Sequence, residues 1–259
     1  MEKLARREAR EGISRSALRL WGLLFAGLGL AGRAILQNGL LDMGNITNEQ
    51  LLEAMMSSSQ TMVYATLALV LQAVEACAIP IFAFLLVEGV QNTSNLNKYL
   101  VRVVGLAFLC EIPYNLAMTG AFWDTSSRNP VFGLAFGMGM LYLFRLYGDN
   151  TISRRLLRVA ITAAAVLWPM MLRIQDGACC VIMVAVFWLC RDKKQFRTFA
   201  GCAAGAICSL LSVYYLAIPM AFMAIHFYRG EKGEENKVIN YLAYPALLIA
   251  AAVAVQFIG

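Results

Sequence analysis

Histidine is almost missing from this sequence: His226 is the only one in 259 residues, and only 15% of the chain is charged. A soluble domain carries about 25% Asp, Glu, Lys and Arg, so this shortage of charge excludes an ordinary water-soluble fold. Apolar residues make up 60% of the chain, and the polar breaks between apolar runs are too short to fold separately, which makes lipid bilayer the expected solvent. There is no Cys-x-x-Cys, and no histidine lies close to any cysteine to complete a metal site. Cys77, Cys110, Cys179, Cys180, Cys190, Cys202 and Cys208 all fall inside apolar stretches and read as packing residues. The net charge of +6 is dispersed in small clusters between apolar runs, a topology pattern and not a nucleic-acid face. No small-residue cleavage site follows the first apolar run. Residues 1–17, with Lys3, Arg6, Arg7, Arg10 and Arg15, are therefore expected to form a basic cytoplasmic segment ahead of a retained helix, and residues 18–259 a single transmembrane domain.

The expected fold is all-α, a polytopic bundle of about nine transmembrane helices near residues 18–41, 61–87, 99–118, 130–147, 157–173, 178–190, 198–212, 213–228 and 238–258. The connection from Asp42 to Gln60 has no basic residue, whereas Lys98, Arg154, Arg155, Arg158, Arg191, Lys193, Lys194 and Arg197 all fall in or beside alternate connections. The positive-inside rule then places the N-terminus in the cytoplasm and the C-terminus outside. Splitting residues 198–228 into two helices also brings Arg229, Lys232 and Lys237 inside. Gly201 and Gly205 are four residues apart, a spacing that lets helix backbones approach closely.

Within such spans an ionisable side chain costs at least about 2.5–3.5 kcal/mol at the helix centre, so each one is a candidate for function. Glu75 falls near the midplane of the second span. Arg33 and Glu111 lie at similar depths toward the outer side, about 10–12 Å in at 1.5 Å per residue, and are expected to pair. With Asn115, Asn129 and Asp176 they are expected to line an outward-facing polar cavity. Glu75 and Glu111 are the candidate bases, because burial can raise a carboxyl group toward neutrality. His226 sits at the inner end of its helix and reads as an interfacial side chain.

The stretch IPIFAFLLVEGVQNTSNLNKYLVRVVGLAFLCEIPYNLA (Ile79 to Ala117), followed by NPVFGLAFG (Asn129 to Gly137), Asp176-Gly177, FYRGEKG (Phe227 to Gly233) and NYLAYPALL (Asn240 to Leu248), resembles the TraX family. That resemblance implies a multi-pass protein of the bacterial inner membrane. It also implies an acetyltransferase relationship, with pilin amino-terminal acetylation in conjugation as the best-known activity. No cofactor is expected to be resident; acetyl-CoA or another acyl-CoA is the implied co-substrate, and the implied partners are the bilayer and a membrane protein or peptide. The family's Asp-His pair in the first helix falls on Gly29 and Leu30, its Tyr-Pro-x-His on Tyr244, Pro245 and Leu247, and an Arg on Ala76. The resemblance thus makes Tyr244 a substrate-binding candidate but leaves the histidine positions apolar. Three readings follow: a TraX-like protein that is non-catalytic or a partner subunit, an acyltransferase with a carboxylate base, or a transporter component. No inverted repeat supports the last.

Overall fold

In the computed structural model, residues 12–41, 46–148, 151–231 and 237–258 are described; most of the basic N-terminal segment, residues 1–11, lies outside them, as do Asp42 and Lys232. Every described helix-length segment is accounted for by the expected spans except one. Helix α1 (Arg15–Leu40) starts where the Ser14 hydroxyl accepts from the Ala17 amide at 3.2 Å and changes from α- to π-helical winding at Ala31. Helix α2 (Asn48–Ser57) is the exception: it lies within the connection from Asp42 to Gln60, where no span was expected. Its start is a capping box in which Thr47 and Gln50 satisfy each other's backbone amides, a Thr-x-x-Gln signal present in the sequence.

The second expected span is two helices in tandem, α3 (Ser59–Glu75) and α4 (Ala78–Asn92), separated by a turn at Ala76 and Cys77. Helix α5 (Leu96–Thr119) begins under the Asn95 side chain, which accepts from the Lys98 amide at 3.0 Å. It stops at Gly120, whose φ of 69° is a left-handed cap that glycine adopts without penalty. The remaining helices are α6 (Val131–Leu146), α7 (Ile152–Met171), α8 (Gly177–Leu189), α9 (Lys194–Cys208), α10 (Ile218–His226, preceded by the 3-10 turn Val213–Ala217) and α11 (Lys237–Ile258). Residues 198–228 thus hold two helical segments, as the charge pattern required. By length and composition Arg15–Leu40, Ser59–Asn92 and Leu96–Thr119 are each able to cross a membrane, and Val131–Leu146, Gly177–Leu189, Val213–His226 and Tyr241–Phe257 are shorter apolar helices.

Successive helices run back and forth between two ends. At one end the Arg15 amide donates to Glu231 O at 2.9 Å and Arg145 Nη2 to Val90 O at 3.0 Å. At the other, Asn38 Nδ2 donates to Met118 O at 2.7 Å and the Arg128 amide to Arg173 O at 3.0 Å. The first end carries Arg15, Arg19, Lys98, Arg102, Arg154, Arg155, Arg191, Lys194 and Arg197; the second has Arg128 and Arg173. Helix α8 is central, packed against α4, α6, α7 and α9, while α11 lies along α5 and the π-helical part of α1. The core contains Ile81, Met138, Met183, Phe187, Ile218 and Phe222. On α5 the outward residues are apolar too: Val101, Phe108, Leu109 and Ile112 are exposed while Val103, Ala107, Cys110 and Tyr114 are buried. A helix apolar on both faces belongs in lipid, since water would not tolerate so large an apolar surface. The chain is an all-helical membrane-type bundle.

Gly201 and Gly205 are used inside the chain. A Cβ on Gly201 would lie 2.0 Å from the Phe222 ring, and one on Gly205 2.7 Å from Ile218, so this small-residue face seats α10 against α9. The seven cysteines are free, and all but Cys202 are buried.

Candidate functional site

Arg33 and Glu111, expected to pair, each pair with another residue. The Arg33 guanidinium is bonded to Glu75, both side chains being largely buried. The π-helical winding that begins at Ala31 carries Arg33 toward α3, and Gly32 permits the approach, because a Cβ there would meet Leu71 Cβ at 2.9 Å. Glu75 itself closes α3 just before the turn at Ala76. Its carboxylate fills the space beside Gly29, where a Cβ would come within 2.0 Å of Glu75 Oε2. Glu75 falls about midway along Ser59–Asn92, and its partner is the arginine expected to pair with Glu111.

Glu111 is 3% exposed and fully occupied. Arg128 Nη1 donates to Oε1 at 2.9 Å, and the Asn129 amide and Nδ2 donate to Oε2 at 3.2 and 2.6 Å. Asn129 also donates to Ala107 O at 2.9 Å and accepts from the Val131 amide at 3.0 Å. This network pins the start of α6 to α5. Glu111 is therefore committed to this structural network, and it does not line the cavity described below. Asn115 is buried one helical turn further on, and neither its Nδ2 nor its Oδ1 has a hydrogen-bond partner in the protein. Of the expected polar set, Arg33, Glu75, Asp176 and Tyr244 come together; Glu111, Asn129 and Asn115 form a separate region on α5 and α6.

Asp176 reaches this group through an unusual turn. Arg173 and Asp176 both have φ of 54°, a left-handed conformation that Asp tolerates better than most residues. A short parallel bridge between Arg128 and Ile174 holds the turn, with the Gln175 amide donating to Arg128 O at 3.0 Å. Tyr215 Oη donates to Asp176 Oδ1 at 2.7 Å. Tyr114 donates to Gln175 Oε1. Asp176, Tyr114 and Tyr244 all lie near enough to Arg33 to act on its charge, which gives one cation facing two carboxylates.

A cavity of about 360 Å³ extends from this group toward the basic end. Glu75, Asp176 and Tyr244 line its deep part, Leu23, Ile79, Phe82, Leu86 and Leu106 its apolar body, and Arg19, Tyr99, Arg102 and Tyr241 its basic end. From Arg19 to Gly29, beside Glu75, is ten residues of α1, or about 15 Å at 1.5 Å per residue. In place of the polar cavity anticipated on the outer side, the structure has a mainly apolar cavity whose lining runs from Glu75 and Asp176 to Arg19 and Arg102. Arg19 and Arg102 are not among the residues expected to form a site, and nothing in their spacing marks them as cavity residues. His226 is exposed and packs edge-on against Phe227, 5.7 Å between centroids, away from this cavity. Leu30 is in the core and Leu247 packs against it. Among the described residues no group of three or more His, Cys, Asp or Glu side chains could hold a metal ion.

Comparison with known proteins gives no match among curated proteins and none among solved structures. The family model described as TraX protein matches residues 51–255, a range that takes in Glu75, the Ile79–Ala117 motif, Asp176 and Tyr244. The chain is a member of the TraX family.

Proposed function

We propose that the protein is an inner-membrane acyltransferase that uses a carboxylate in place of histidine, with its basic end in the cytoplasm. The observation that carries this reading is the cavity, which joins Arg19 and Arg102 at the basic end to Glu75 in the middle of the bundle. A phosphate-bearing acyl thioester such as acetyl-CoA suits that distribution: its anionic part meets the arginines, and its uncharged arm follows the apolar body toward Glu75. An acceptor amine or hydroxyl attacks the thioester carbonyl, forming the new C–N or C–O bond and breaking C–S. Glu75 takes the acceptor proton and returns it to the leaving thiolate. Arg33 holds the carboxylate in place, and Tyr244 supplies a hydroxyl donor to the carbonyl oxygen.

The second reading, a TraX-like binding protein or partner subunit without catalysis, is favoured by one feature: Leu30 in the apolar core and Leu247 packed against that core stand at the two positions matched to histidine. Isothermal titration of acyl-CoA into purified protein, followed by single-turnover transfer to a peptide amine, separates the two. Binding and transfer that Glu75→Gln slows about 10²- to 10⁴-fold, the usual contribution of a general base, support the first. Binding without transfer supports the second, and the absence of acyl-CoA binding sensitive to Arg102→Gln removes the first and any acyl-CoA-binding form of the second.

A further inference from the structure

A second pocket of about 230 Å³ lies at the basic end, on the opposite face of α4 from the Glu75 cavity. Its walls are Phe84, Glu88 and Gln91 from α4, Arg191 beyond the end of α8, Lys194 and Arg197 from α9, and Tyr228 after α10. Three cations face it against one carboxylate, and that carboxylate is already neutralised: Glu88 Oε1 takes Arg15 at 3.1 Å and the Tyr228 hydroxyl. The other acid nearby, Asp192, is 3.8 Å from Arg191 Nε and exposed. The Arg197 guanidinium lies 4.7 Å over the Phe84 ring, a stack that fixes its direction. Its Nε is buried without a hydrogen-bond partner, and so is Glu88 Oε2. Buried polar groups in native proteins are nearly always satisfied. An unpaired guanidinium donor and an unpaired carboxylate acceptor beside two further cations therefore leave hydrogen-bonding capacity that the chain itself does not use.

We propose that this pocket is a phosphate-ester site, separate from the Glu75 cavity, in which Arg191, Lys194 and Arg197 hold the phosphate oxygens and Glu88 accepts from a hydroxyl next to the phosphate. Guanidinium groups suit this because their fork of donors matches phosphate oxygens. Phe84 and Phe187, edge to face at 5.5 Å, give the pocket a firm apolar back wall. The ligand chemistry, a phosphate ester bearing a free hydroxyl, is shared by glycerophosphate lipid headgroups at the membrane surface and by soluble phosphate esters. This inference stands independently of acyl transfer.

The test uses the full chain in nanodiscs of phosphatidylcholine, which has no free hydroxyl on its headgroup. In one arm glycerol 3-phosphate is titrated and the melting temperature followed; in the other, phosphatidylglycerol is mixed into the disc and lipid retained on the ejected protein is counted by native mass spectrometry. Saturable stabilisation in the first arm identifies a soluble ligand, and selective retention in the second identifies a lipid. Arg191→Gln and Lys194→Gln, both at exposed positions that leave the core intact, should each weaken the effective probe about tenfold or more, the scale of one lost hydrogen bond to a charged group. Arg197→Lys should weaken it while keeping the charge. If neither probe binds, or if the Arg191→Gln/Lys194→Gln double variant binds as the parent does, the proposal is overturned.

Discussion

Replacing Arg33 by methionine should be one of the most damaging single changes in the bundle, and more damaging than Glu75→Gln. The pair is buried, with side chains 17% and 12% exposed, so the small values typical of surface ion pairs do not apply. Removing one partner of a buried pair costs about 3–5 kcal/mol because the other charge is left without compensation. The two ends of the pair are not equivalent. Without Arg33, Glu75 and Asp176 face each other with no cation between them; without the Glu75 charge, Arg33 still has Asp176 in reach. Arg33→Met therefore belongs at the upper end of that range and Glu75→Gln at the lower. For a chain of this size about 2–4 °C accompanies each kcal/mol, so melting in detergent should fall by about 6–20 °C across the two variants. The Arg33→Met/Glu75→Leu double variant should lose less than the sum of its parts, since two volume-matched apolar residues remove both charges. Additive losses, or an Arg33→Met variant no less stable than Glu75→Gln, would refute the pairing argument.

Gly29→Ala puts a methyl group where the Glu75 carboxylate now sits; it should cost about 1–3 kcal/mol by overpacking and abolish any Glu75-dependent transfer. Gly27→Ala, whose Cβ would meet only Leu247 at an ordinary 3.7 Å, is the matched control and should gain up to about 1 kcal/mol of helix propensity. In α9, Gly201→Ala drives into the Phe222 ring and should destabilise by about 1–3 kcal/mol in chemical unfolding; Gly139→Ala, with open space around it, should not. Reporter insertion should read the connection between α6 and α7 as cytoplasmic and that between α5 and α6 as external, following the distribution of basic residues; the reverse assignment would overturn the proposed direction of donor entry. His226→Ala should leave acyl transfer unchanged in the single-turnover assay, since the ring is at the exposed end of α10; a large loss would return catalysis to the histidine.

The membrane-type helical fold was legible because it depends on composition and on one-dimensional spacing. Apolar runs near 20 residues and the alternation of basic connections are local properties, and they located even the division of residues 198–228 into two helices. The rarity of charge also made Glu75 and Arg33 conspicuous, since each intramembrane ionisable residue needs a reason. Depth along a helix can be counted from the chain, but which face a residue presents to which neighbour cannot. That is why Arg33 and Glu111, at matching depths, looked like partners. The π-helical turn of α1 rotates Arg33 toward Glu75, while Asn129 and Arg128 bring the start of α6 back onto Glu111. Only the tertiary structure could decide this exchange of partners, because ion pairs between helices depend on rotation about each axis and on glycines such as Gly29 and Gly32 that allow close approach. The same holds for the cavity: Arg19, Glu75, Arg102 and Asp176 come from four helices or their ends, and only the packing of α1, α3, α5 and α8 around a common space makes them one site.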